Sequence, residues 1–78
     1  MNMAHGEKYK ELGLLVSYYR KRRGFSQEQF AQRLGKSRAF IGAIEAPNIY
    51  RAISIDTLFD MAEVLNIPAY KLLDFDED

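Results

Sequence analysis

Few side chains in this sequence could do covalent chemistry. There is one histidine, His5, and no cysteine, which removes thiolate metal sites, disulfides and cysteine nucleophiles. No serine, histidine and carboxylate stand in a catalytic pattern, and no glycine-rich loop is set up to cradle a phosphate. The acidic residues of the second half are scattered and form no acid–base pair. What remains is recognition chemistry. Between Arg20 and Glu45 the chain carries Gln27, Lys36, Ser37 and Arg38. Guanidinium, ammonium, amide and hydroxyl donors of this kind bind phosphate oxygens and base edges. They can do so only if short, rigid elements hold them on one surface.

The stretch from Ser26 to Glu45 supplies such elements. Ser26 is a good N-cap, and Gln29 three residues later completes a capping box. Phe30, Ala31 and Leu34 fall on one helical face. Gly35 then stands where a chain leaving a helix needs positive φ. Ser37 caps a second helix, and Ile41 and Ile44 give it a buried face. So short a link makes the two helices cross steeply, and the small Ala31 allows close approach. The arrangement predicts a helix-turn-helix, with helices over about 27–34 and 37–45. With Ile41 and Ile44 inward, Arg38, Ala39, Gly42 and Ala43 lie on the opposite, outer face. Arg38 is the one strong donor there, and its best partner is guanine O6 and N7 in the major groove. Ala39, Gly42 and Ala43 permit close approach. Gln27 opens the first of these helices, where free amides and the dipole favour phosphate. Ser37 can offer its hydroxyl to phosphate while capping, and Phe40 reads as edge packing or as a methyl contact in the groove.

The formal net charge is zero, but the charges are polarised. Residues 1–40 carry nine basic against three acidic residues, a net +6, and residues 41–78 carry two against eight, a net −6. A basic face for phosphate with an acidic end turned away fits this distribution, and so do two merely solvated faces. Seventy-eight residues allow one small domain, burying only about 60% of its unfolded surface. No apolar run approaches the roughly 18 residues of a membrane span, and no signal peptide is visible. A cytoplasmic protein, in the bacterial cytosol or nucleoid, is expected.

The run Ser-Gln-x-x-Phe-Ala-x-x-Leu-Gly-x-Ser-x-x-x-Ile-x-x-Ile-Glu over 26–45 resembles the XRE family of phage-repressor-like helix-turn-helix proteins. The resemblance extends back to Arg20 and Gly24 and forward through Leu58, Ala62, Leu65 and Ile67 to Leu72. It implies an all-α, five-helix lambda-repressor-like domain that reads DNA with its third helix. It further implies base-edge positions at Arg38, Ala39, Gly42 and Ala43 and a backbone contact at Gln27. Arg20 is implied to pair with Glu45, a clamp consistent with bidentate arginine–carboxylate geometry; a phosphate contact for Arg20 is the alternative. After Glu45 the sequence departs from the family. Ala46-Pro47-Asn48-Ile49-Tyr50-Arg51-Ala52-Ile53 replaces a polar residue, a glycine and further basic residues. Asn48, Tyr50 and Arg51 are the only plausible phosphate donors of this loop, and Lys36 and Ser37 add to them. Ile49 and Ile53 pack on the fourth helix or on a second subunit, since the 46–53 loop lies at the dimer interface in related repressors.

The remaining elements follow in order. Residues 1–6 are expected to be a disordered N-terminus, 7–75 the helix-turn-helix domain and 76–78 an acidic tail. The first helix should run from about Glu7 to Arg23, with Tyr9, Leu12, Val16 and Tyr19 inward. Leu14, Leu15 and Tyr18 then point partly outward, either as a wide buried stripe or as a self-association patch. Gly24 ends the helix. A fourth helix follows the Ser54 cap, with Leu58, Met61, Ala62 and Leu65 inward, and Asn66 caps it left-handed. A short fifth helix is expected from about Pro68 to Leu73, with Leu72 and Phe75 closing the bundle. The predicted function is sequence-specific binding of double-stranded DNA by a transcriptional regulator, as a homodimer, with no cofactor and no metal. A protein-interaction or antitoxin-like module on the same fold is the alternative, and the control subunit of a DNA-modifying enzyme is a third.

Overall fold

Each expected cap is in place and sets the boundary of an element. The computed structural model describes residues 4–48 and 51–75; Ile49, Tyr50 and the tail residues Asp76, Glu77 and Asp78 lie outside the described residues, as do residues 1–3. The elements are α1 (Gly6–Arg22), α2 (Gln27–Leu34), α3 (Arg38–Glu45), α4 (Ile55–Leu65) and a 3-10 turn (Ala69–Leu72). Among the described residues there is no strand. Ser26, Ser37 and Ser54 each accept a hydrogen bond from the backbone N–H three residues on. The capping box at Ser26 is complete, because Gln29 Oε1 also accepts from the Ser26 N–H at 2.8 Å. Gly24, Gly35 and Asn66 take positive φ where α1, α2 and α4 give way to the next segment. Ala46 is extended, with φ −70° and ψ 132°, as a residue before proline must be; α3 therefore stops at Glu45.

Two expectations need correction. The helix α1 begins at Gly6, one residue early, and Gly6 is buried, so the helix takes in the last residue of the stretch expected to be disordered. The fifth element is not an α-helix. Pro68 has φ −61° and ψ 142°, and only four residues follow before the chain turns. Such a short run closes with i→i+3 bonds, here Lys71 N–H to the Pro68 carbonyl.

The core is built from every element. Leu12 and Val16 of α1, Phe30 and Ala31 of α2, Ile41 and Ile44 of α3, and Leu58, Met61, Ala62 and Leu65 of α4 are all buried, and Leu72 seals them. Burial of each larger side chain contributes about 1.5–3 kcal/mol. Tyr9, Tyr19, Ile53 and Phe75 pack around this core. Leu15 joins them and is half-buried, whereas Leu14 and Tyr18 are about half exposed; of the three outward residues expected on α1, two face solvent. No described helix is long and apolar enough to cross a membrane.

A candidate nucleic-acid interface on the third helix

The second half of α3 is held by a network centred on Glu45. Arg20 Nε donates to Glu45 Oε2 at 2.7 Å and Arg20 Nη2 donates to Oε1 at 2.8 Å. The third guanidinium nitrogen, Nη1, donates to the Phe25 carbonyl at 2.8 Å. The side chains of Arg20 and Glu45 are 8% and 6% exposed. All three nitrogens of Arg20 are engaged within the chain, which ties α1 to α3 and to the start of α2. Fork-on-fork geometry of this kind is the strong form of an ion pair.

Two further residues complete this anchor, and neither is evident from local pattern. Gln27 Nε2 donates to Glu45 Oε1 at 3.1 Å, so the side chain expected at a phosphate also holds the carboxylate from the α2 side. Gly13, in the middle of α1, is buried, and a β-carbon there would run into the Ile44 carbonyl oxygen. The bare backbone lets α1 lie directly against the end of α3. A glycine inside a helical pattern costs about 1 kcal/mol relative to alanine, and that cost is the only sequence signal for its role.

The first half of α3 is different. Ser37 and Arg38 are exposed, as is Ala39, and Gly42 and Ala43 are partly exposed. The outer face of the helix is therefore open, with no segment among the described residues folded across it. Ser37 Oγ accepts from the Phe40 N–H at 3.1 Å, which leaves its own hydrogen free to donate. Arg38 makes no ion pair among the described residues. Beside it, Phe40 is half-buried against the core. Lys36 Nζ lies 5.3 Å from the centre of its ring and the Arg51 guanidinium carbon lies 4.9 Å from it. Asn48 is exposed in the turn that follows Pro47.

The structure thus brings Arg20, Gln27 and Glu45 together beneath α3 and Lys36, Phe40 and Arg51 together at its flank. It leaves Ser37, Arg38, Ala39, Gly42 and Ala43 along the open face. A helix bearing an exposed guanidinium, unpaired among the described residues, with small side chains around it and donors beside it, can enter a groove and fix its depth by backbone contacts.

Comparison with known proteins bears on the same region. A helix-turn-helix family model matches residues 16–72. An uncharacterized HTH-type transcriptional regulator of Bacillus subtilis, YazB, is 42% identical over 60 residues, covering 77% of this chain and 84% of its own. The restriction-modification controller protein C.AhdI from Aeromonas hydrophila superposes with a TM-score of 0.80 at 26% identity, over 90% of this chain and 99% of its own. The master regulator for biofilm formation SinR, solved in complex with DNA, superposes at 0.74 with 30% identity, over 81% and 98%. With the match spanning α2, α3 and α4 and most of the rest, the chain belongs to the XRE-type helix-turn-helix family of DNA-binding transcriptional regulators.

Proposed function

We propose that this protein binds double-stranded DNA sequence-specifically and regulates transcription in the bacterial cytosol, with α3 placed in the major groove. The observation that carries this reading is the open outer face of α3, where Arg38 is exposed beside Ala39, Gly42 and Ala43 and makes no ion pair among the described residues. Arg38 reads guanine O6 and N7, and the three small residues let the helix sink against the base edges. Lys36, Ser37, Asn48 and Arg51 hold phosphates. Gln27 joins them through its second amide hydrogen, the first being spent on Glu45. One domain makes few contacts, so two copies bind a palindromic site with half-sites about one helical turn, roughly 34 Å, apart. The dimer forms through Leu14, Leu15 and Tyr18 or through the 46–53 loop.

Selection of binding sites from random duplexes tests the reading, using the parent protein and Arg38→Ala. The parent should select a two-fold symmetric site. Arg38→Ala should lose about 1–3 kcal/mol of discrimination at one base pair of each half-site. Equal weakening on every sequence would place Arg38 on phosphate instead.

A second reading rests on the apolar pair Leu14 and Tyr18, one turn apart on α1 and 49% and 51% exposed. It makes the domain a protein-interaction module, antitoxin-like, that binds DNA weakly or not at all. A salt series separates the two: regulator binding should fall steeply with salt, and absence of binding to any duplex at low salt favours the interaction module.

A further inference from the structure

Phe40 is the one large aromatic side chain on α3, and two cations rest on it from two different segments. Lys36 comes from the turn before α3, and Arg51 from the loop after it. Both lie close to one ring centre, 5.3 and 4.9 Å away, so their charges are within about 10 Å of each other. Neither forms an ion pair among the described residues. Two like charges drawn to one ring, neither paired with a carboxylate among the described residues, repel. External anions, paired with these two cations, offset that repulsion.

We infer that Phe40 is a positioning residue: its ring holds Lys36 and Arg51 as a two-cation clamp for the backbone phosphates of one DNA strand, beside the groove that α3 enters. The inference rests on the DNA-binding reading above and adds a role for a residue that touches neither base nor phosphate. A ring–cation contact at an exposed site is weak, yet it restricts a long side chain before binding and so lowers the ordering cost on binding. The clamp also accounts for a loop poor in basic residues: Arg51, the one cation after α3 before Lys71, is held where it can act. Because phosphates carry no sequence information, the clamp sets depth and register of α3 and leaves base choice to Arg38.

The test measures affinity for the selected duplex across a salt series, with thermal unfolding run in parallel. The variants are Phe40→Leu, Phe40→Tyr, Lys36→Ala/Arg51→Ala, and that double variant carrying Phe40→Leu as well. Phe40→Leu keeps an apolar side chain against the core and removes the ring. It should bind about 3- to 10-fold more weakly, with a shallower slope of log K against log salt and an unchanged preferred site. Phe40→Tyr, which keeps the ring, should restore both. In the background lacking Lys36 and Arg51, Phe40→Leu should cost no further affinity. Overturning results are clear. If folded Phe40→Leu loses melting temperature but keeps affinity and salt slope, or weakens binding equally in the double-variant background, the ring is packing only. If the parent protein binds no duplex at any salt, the DNA-binding reading fails and takes the clamp with it. That outcome is distinct from a parent that binds while Phe40→Leu binds equally well.

Discussion

The two ends of α3 are built on opposite principles. The C-terminal end is immobilised: Glu45 receives three hydrogen bonds from Arg20 and Gln27, and Ile44 lies against the bare backbone of Gly13. The N-terminal end is held by the Ser37 cap and the apolar anchors Ile41 and Phe40, and its outward residues Arg38 and Ala39 are exposed. Eight residues span only about 12 Å, so anchoring one end fixes where the other points. The chain concentrates its costly, buried electrostatics at the C-terminal end, and Arg38, on the face proposed above to meet DNA, makes no ion pair among the described residues. A side chain spent on an internal bond cannot contact a base, so on the proposed reading the division would separate stability from recognition along a single helix. Substitutions at the anchored end should therefore change folding, and those on the open face should change binding.

Arg20→Ala is the largest breach of that division. It leaves the Glu45 carboxylate buried and deprived of two donors and also frees the Phe25 carbonyl. Removing one member of a buried pair costs about 3–5 kcal/mol, and in a domain of this size each kcal/mol is worth about 4–8 °C. Thermal unfolding should show a fall of more than about 10 °C, or no cooperative transition at all. A variant that melts with the parent would mean that the anchor lies elsewhere.

Gly13→Ala comes next and sharpens the comparison, because local and tertiary effects oppose each other. In an isolated helix, alanine would be favoured by about 0.5–1 kcal/mol. Here the new β-carbon meets the Ile44 backbone, which cannot swing aside as a side chain would. Overpacking of this kind costs about 1–3 kcal/mol or more, so the net change should be destabilising, read as a lower midpoint in urea unfolding. A raised midpoint would show that α1 and α3 can separate without penalty.

These two residues also mark what could be read from the chain alone. The caps at Ser26, Ser37 and Ser54, the left-handed exits at Gly35 and Asn66, and the inward stripes of α2, α3 and α4 were legible because each depends on neighbours within one turn. The all-helical fold follows from them. The pairing of Arg20 with Glu45 spans 25 residues and was legible only through family resemblance, since no local rule selects one carboxylate among many. Gly13 and the Gln27–Glu45 bond were missed for the same reason: both depend on how α1 and α2 sit against α3. Pro68 marked the start of a short fifth helix, and with only four residues it takes the tighter 3-10 form. On the open face, Arg38 was legible because Ile41 and Ile44 fix its direction by helical periodicity. The convergence of Lys36 and Arg51 on Phe40 was not, because it joins two loops.

Gly42→Ala is the smallest perturbation and the most discriminating. It makes the same chemical change as Gly13→Ala, on the other side of the division. A β-carbon at Gly42 would meet Gln27 Oε1 at 3.9 Å, an ordinary contact. Nothing among the described residues then resists the substitution, and the helix gains about 0.5–1 kcal/mol, a rise in melting temperature of about 2–8 °C. If α3 lies in the groove with this face toward the bases, the added methyl pushes the helix outward, and affinity should fall a few-fold although the protein is more stable. Stability and binding would then move in opposite directions, which a folding defect cannot produce. Unchanged affinity in the stabilised variant would mean that the helix docks by its N-terminal turn alone, with Gly42 clear of the duplex.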